Sequence, residues 1–163
     1  MPMVFLGLGA NLDPLEHLAQ AARKIEELGP IQCSRIYQSA PYHQLDQPPY
    51  CNQVIALETQ FSPEALLHSL LQIELQIGRV RGKVRWQNRK IDIDILDFAG
   101  QIIENETLTL PHYDMAGRDF FLLPLAELAP DYRHPVTGKD IAKMLGEIPD
   151  NLITHASPIK TTP

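Results

Sequence analysis

The stretch Arg89 to Phe98, "RKIDIDILDF", decides the fold. Ile91, Ile93 and Ile95 alternate with Asp92 and Asp94, and successive side chains of a strand point to opposite faces, so the pattern predicts a β-strand with an apolar and an acidic face. The Cβ atoms of Asp92 and Asp94 then stand about 6 to 7 Å apart. Two carboxylates that close repel each other. Either the face is solvated, or divalent cations sit against it and remove the repulsion. Asp97 falls on the opposite phase of the alternation, which leaves it out of the pair.

Working backwards from this strand, the segment from Ser62 to Ile77 has helical periodicity. Ser62 stands at the cap, Pro63 at the first helical position and Gly78 at the stop. Gln53 to Thr59 reads as a strand. Before it, Gln38 to Asn52, "QSAPYHQLDQPPYCN", is a proline-rich connection too long for a tight hairpin, and long ordered loops are often functional. Ile31 to Tyr37 is a further strand. Leu15 to Leu28 is a helix with Leu15, Leu18, Ala22, Ile25 and Leu28 on one side, capped by Asp13 ahead of Pro14 and ended by Gly29-Pro30. Val4 to Leu8 is the first strand. The order β-α-β-β-α-β predicts an α+β, ferredoxin-like core, an antiparallel sheet with helices on one face. Downstream come a small hairpin around Gln101 to Thr109 and helices from about Phe120 to Leu128 and Lys139 to Leu145. Residues 1–163 are expected to form one domain whose tail, from about 156 to 163, is frayed.

The balance of charge is acidic, with a formal net charge of -6, which argues against general affinity for nucleic acid or anionic membrane. Locally the sign reverses. Six of the fourteen lysines and arginines fall in "GRVRGKVRWQNRK", Gly78 to Lys90, a concentration that suggests one anion-binding site. Cys33 and Cys51 suggest neither a disulfide framework nor a zinc site, and a reducing, cytoplasmic compartment is the expectation. No apolar run reaches the length of a membrane span.

Carboxylates alone could bind a cation structurally, and arginines alone could be a solvated face. Together they have the chemistry of a magnesium nucleotide site: magnesium binds through one or two carboxylates, water and substrate phosphates, while arginines grip phosphate oxygens bidentately. Downstream, "LPHYDMAGRDFFLLPL" adds His112, Tyr113 and Arg118, all able to donate hydrogen bonds to phosphate oxygens. Familiar nucleotide motifs are missing. "GLGANL" has Leu12 where a dinucleotide fingerprint needs its third glycine, and Gly138-Lys139 is followed by Asp140, with Arg133 in place of the first glycine of a P-loop.

The blocks "GLGANL", "DQPPYCNQVIALET", "IELQIGRVR", "RWQNRKIDIDIL" and "LPHYDMAGRDFFLLPLAELAP" resemble, in order and spacing from about Val4 to Pro130, the 6-hydroxymethyl-7,8-dihydropterin pyrophosphokinase family. That resemblance implies a ferredoxin-like fold and the transfer of the β,γ-diphosphoryl unit of ATP to the pterin hydroxymethyl group, releasing AMP, in folate biosynthesis. It implies two magnesium ions on Asp92 and Asp94, with Arg79, Arg89, Asp92 and Asp94 as the catalytic set. By the same resemblance ATP meets Glu74, Arg79, Arg81, Arg89, His112, Tyr113 and Arg118. The pterin meets Ser39, Pro41, Tyr42, Tyr50, Asn52, Trp86, Asp92 and Phe120, with Tyr50 and Phe120 stacking on the ring and Asn52 reading its polar edge. The expected partners are these two small molecules, with no nucleic acid and no membrane, and the chain is expected to act as a monomer. The other reading weighed is a single-stranded RNA-binding module, since ferredoxin-like sheets with surface aromatics and basic loops bind single strands. The acidic net charge and the aspartate pair count against it.

Overall fold

The computed structural model describes residues 2–39, 49–78 and 91–159. Its main sheet has the order β5-β1-β4-β3-β8, with β2 also paired to β4. The strands are β1 (Met3–Ala10), β2 (Ile31–Cys33), β3 (Tyr37–Ser39), β4 (Tyr50–Glu58), β5 (Asp92–Phe98) and β8 (Ser157–Pro158), and every pairing is antiparallel. Helices α1 (Pro14–Glu26) and α2 (Pro63–Ile77) complete the βαββαβ unit of a ferredoxin-like fold. A hairpin of β6 (Ile103–Glu104) and β7 (Thr109–Leu110) follows, then α3 (Asp119–Leu128) and α4 (Ile141–Gly146).

Two apolar clusters lie on opposite faces of the sheet. Leu18, Ile25, Leu66, Leu70 and Ile73 of α1 and α2 pack with Leu6, Leu8, Ile55, Ile93 and Ile95. On the other face, Phe121, Leu122 and Leu125 of α3 and Ile141 and Met144 of α4 pack with Val54 and Leu96. Ile93 and Ile95 of β5 thus face the helix-side core, while Leu96 enters the core built on α3 and α4.

Local physics explains where the boundaries depart from expectation. α2 begins as its sequence says, with the Ser62 hydroxyl accepting the Ala65 amide at 3.2 Å. Asp13 makes no side-chain cap, because its backbone is left-handed at φ 41°, whereas capping needs an extended residue; Pro14 alone sets the start. The expected strand from Ile31 to Tyr37 is split in two at Ser34. There the hydroxyl accepts the Val54 amide at 3.0 Å and the Gln53 side-chain amide donates to the Ser34 carbonyl at 2.9 Å, so side chains replace two rungs of the ladder. Within the tail expected to fray, residues 157–159 are tied down: Ser157–Pro158 pair with β3, and the Ile159 amide donates to the Ile36 carbonyl at 2.9 Å, while residues 160–163 lie outside the described residues.

β3 is also held from the other side. The Tyr37 hydroxyl donates to the Glu127 carboxylate at the end of α3, and the Arg35 amide and Nε donate to the same carboxylate at 3.2 and 2.9 Å. Burial pushes the Glu127 carboxyl up, but these hydrogen bonds outweigh it and hold it below the usual carboxylate range. A carboxylate depressed in the folded state contributes stability above its ordinary pKa and loses it as pH falls. Glu127→Gln is therefore expected to lower the melting temperature by about 3 °C at pH 7, with the deficit shrinking as the pH is taken below about 4. A deficit independent of pH in scanning calorimetry would mean the charge plays no part.

Candidate active site

The antiparallel register gathers the site at one end of the sheet. Asp92 lies opposite Gly9, which lies opposite Asn52, which lies opposite Tyr37; one step along, Asp94 lies opposite Gly7 and Gly7 opposite Val54. Asp92 and Asp94 are half-buried, while Ile91, Ile93 and Ile95 between and around them are buried in the helix-side core. The facing positions on β1 are glycines for a reason of space. A Cβ at Gly7 would stand 2.6 Å from Phe121 Cε1, and one at Gly9 would stand 3.0 Å from Asn52 Nδ2. Bare backbone at these positions lets an aromatic ring and an amide lie directly on the strand beside the two carboxylates.

Asp97 departs from the sequence reading. A register shift between Phe5 and Leu6 leaves Leu96 without a partner and sets Asp97 opposite Phe5. A bulge of this kind inverts the alternation beyond it. Asp97 therefore emerges on the same face as Asp92 and Asp94. What keeps it out of their chemistry is burial and partners: it accepts from the Tyr132 hydroxyl at 2.6 Å and from the Gly100 amide at 2.8 Å.

Glu74 comes from α2. It is buried, and its carboxylate accepts the Ile93 amide at 2.8 Å, so α2 braces β5 at the residue between the two aspartates. His112 comes from the segment after β7, its own amide donating to the Leu96 carbonyl at 2.8 Å. Its Nε2 stands 3.9 Å from Asp94 Oδ2, and its Nδ1 accepts the Asp114 amide at 3.1 Å. Burial pushes the imidazole below its ordinary value, against the opposing pull of Asp114 and Asp92. Nδ1, accepting the Asp114 amide, carries no proton, so the proton of the uncharged ring sits on Nε2 and faces the aspartate pair. Tyr113 is exposed and stacks on His112 with ring centroids 4.7 Å apart, and Phe121 meets the same imidazole edge-on at 5.9 Å.

Arg118 is mostly buried, its Nε 2.7 Å from Asp114 Oδ2 and its guanidinium 5.9 Å from the centre of the Phe120 ring. Phe120 is half-buried beside Phe121. Asn52 is buried and accepts the Ser39 hydroxyl on Oδ1 at 3.0 Å, which fixes which way round its amide points; Tyr50, paired with Ser39, sits half-buried next to it. The structure thus brings Ser39, Tyr50, Asn52, Glu74, Asp92, Asp94, His112, Tyr113, Arg118 and Phe120 to one end of the sheet and the start of α3. Arg79, Arg81, Arg89, Pro41, Tyr42 and Trp86 lie outside the described residues. Asp114, which touches both His112 and Arg118, was missed in the sequence. Its spacing four residues before Arg118, that of an ion pair on a helical turn, was the available signal.

The donor set suits magnesium. Two half-buried carboxylates share a face whose neighbouring positions are glycine. Among the described residues no group of three or more histidines, cysteines and acids is arranged to hold a metal by itself, so a cation here would take its remaining ligands from phosphate oxygens and water.

The family model described as 7,8-dihydro-6-hydroxymethylpterin-pyrophosphokinase (HPPK) matches residues 5–130. The 2-amino-4-hydroxy-6-hydroxymethyldihydropteridine pyrophosphokinase of Haemophilus influenzae is 39% identical over 162 residues, covering 97% of this chain and 100% of its own length. The folic acid synthesis protein fol1 of Schizosaccharomyces pombe is 34% identical over 151 residues, covering 90% of this chain and 20% of that longer protein. Among solved structures, Plasmodium falciparum HPPK-DHPS with pteroate superposes with a TM-score of 0.73 at 16% identity, covering 90% of this chain and 42% of that one. The chain thus spans less than half of that structure, and the likeness speaks to the fold.

Proposed function

The chain belongs to the 7,8-dihydro-6-hydroxymethylpterin-pyrophosphokinase family, and we propose that its reaction takes place against Asp92 and Asp94 with magnesium as cofactor. It is a pyrophosphokinase of folate biosynthesis, with ATP and hydroxymethyldihydropterin as substrates. The alternative of an RNA-binding module finds no support.

The observation that carries the site assignment is the aspartate pair on β5, set over glycines and facing the Nε2 of His112. In this reading Asp92 and Asp94 hold two magnesium ions, which when bound neutralise triphosphate charge and orient its oxygens. Nε2 of neutral His112 and the hydroxyl of exposed Tyr113 donate hydrogen bonds to the nucleotide. Arg118 supplies a fixed positive charge, and Arg79, Arg81 and Arg89 grip the phosphates. Glu74 serves the nucleotide side by holding β5 in place. On the pterin side the flat ring lies between Tyr50 and Phe120, and the Asn52 amide, oriented by Ser39, reads its polar edge. Pro41, Tyr42 and Trp86 belong to the same pocket, and Asp92 reaches the hydroxymethyl group. The hydroxymethyl oxygen gives up its proton to water and bonds to the β-phosphorus, the bridge between the α- and β-phosphates breaks, and AMP leaves. No protein nucleophile is needed, because such a transfer depends on positioning and charge stabilisation.

The chain is proposed to act as a monomer. A cytoplasmic location is part of the same proposal. No helix among the described residues is long and apolar enough to cross a membrane.

A chromatographic product assay tests the proposal. Protein with ATP, magnesium and the reduced hydroxymethylpterin is expected to form AMP and pterin diphosphate in equal amounts, and a chelator is expected to stop the reaction. ADP as the nucleotide product, or turnover untouched by the chelator, would refute it.

A further inference from the structure

We propose that Asp114 is a positioning residue that sets His112 and Arg118 for the ATP side of the reaction; this rests on the assignment of those two residues to ATP. Three groups of Asp114 are engaged at once. Its amide donates to His112 Nδ1 at 3.1 Å, its carbonyl accepts the Gly117 amide at 3.1 Å, and its carboxylate accepts from Arg118 Nε at 2.7 Å and from a terminal guanidinium nitrogen at 2.5 Å.

Each contact has a consequence for the site. An imidazole that accepts on Nδ1 must carry its proton on Nε2, the nitrogen 3.9 Å from Asp94, so Asp114 decides which ring atom can donate toward the aspartate pair. Left to itself, a neutral histidine divides its proton between both nitrogens. Arg118 is mostly buried, and a buried cation keeps its place only when a carboxylate compensates it. The carboxylate's bond to Arg118 also spans the turn that follows His112, in which the Met115 amide donates to the His112 carbonyl at 3.3 Å and the Arg118 amide to the Met115 carbonyl at 3.3 Å. Loss of the charge therefore loosens one turn that holds two ligand-facing groups.

Asp114→Asn is nearly isosteric and keeps an acceptor, so the variant should fold; its melting temperature checks this. Binding to the full-length protein is measured with a non-hydrolysable ATP analogue plus magnesium and, separately, with 6-hydroxymethylpterin. The ATP analogue is expected to bind about tenfold more weakly, and the pterin less than about threefold more weakly, the small change reflecting the contact of Arg118 with Phe120. Nitrogen-15 spectra of the His112 ring without ligands are expected to show the Nε2-protonated form in the natural protein and a mixture of tautomers in the variant. An ATP-analogue affinity within about twofold of the natural protein, equal losses for both ligands, or unchanged ring spectra would each overturn the role. If the natural protein bound neither ligand, the assignment of ATP and pterin to this site would fail, while the ring spectra would still decide whether Asp114 sets the histidine.

Discussion

Asp94→Asn is expected to lower kcat about a thousandfold, equivalent to about 4 kcal/mol of lost transition-state stabilisation, while the melting temperature stays level or rises slightly. Asparagine preserves the shape of the side chain and keeps one oxygen acceptor, so the contacts of β5 with Gly7 and Leu8 on β1 persist. What disappears is one of the two negative charges available to a cation, and the neighbouring His112, 3.9 Å away, cannot replace it because an imidazole carries no negative charge. Removing one of two neighbouring carboxylates also relieves their repulsion, which is why no cost in stability is expected. Asp92→Asn should behave alike, because the two residues occupy equivalent positions one pleat apart. The measurement is steady-state kinetics with magnesium titrated to saturation, beside calorimetry of the same sample. A kcat within about tenfold of the natural protein would remove the aspartates from the chemistry, and a large fall in melting temperature would recast them as structural.

The residues that announced this site in the sequence did so through period and type. Alternation in β5 placed Asp92 and Asp94 together on a face, and Ser62 with Gly78 marked both ends of α2, because these signals are local and belong to a single element. Local pattern gives out where a second element intervenes. Alternation puts Asp97 on the wrong face because it carries no record of the bulge at Leu96, which depends on how β1 pairs. Asp13 looked like a cap by composition, yet its left-handed backbone follows the path from β1 into α1. Glu74, expected at the nucleotide, also accepts the Ile93 amide through the packing of α2 on β5, a bond that no local pattern announces. The Tyr37–Glu127 contact joins residues 90 apart in the chain, beyond the reach of any local pattern. Local chemistry was legible, then, and tertiary partners were not.

Gly29→Ala is expected to produce the converse of Asp94→Asn: a loss of stability of about 3 kcal/mol or more with the site's chemistry left intact. Gly29 ends the turn from α1 into β2 at φ 154°, a conformation in the range that favours glycine. The added methyl group would stand 2.0 Å from the Glu58 carbonyl oxygen and 3.2 Å from its carbon. These are backbone atoms of β4, so no side-chain rotation relieves the clash. Nor can the strand retreat freely, since the Glu58 amide is bonded to the Pro30 carbonyl at 3.0 Å and Glu58 pairs with Met3 on β1. For a chain of this size the loss corresponds to a fall in melting temperature of about 10 °C, read by calorimetry; a change under about 2 °C would show that the turn can reroute. Glu58 and Tyr50 are at opposite ends of β4, roughly 26 Å apart along the strand, so kcat and KM measured well below the transition should match the natural protein. Stability without turnover at Asp94, and turnover without stability at Gly29, would separate the two ends of one sheet into the end that carries the chemistry and the end that holds the fold closed.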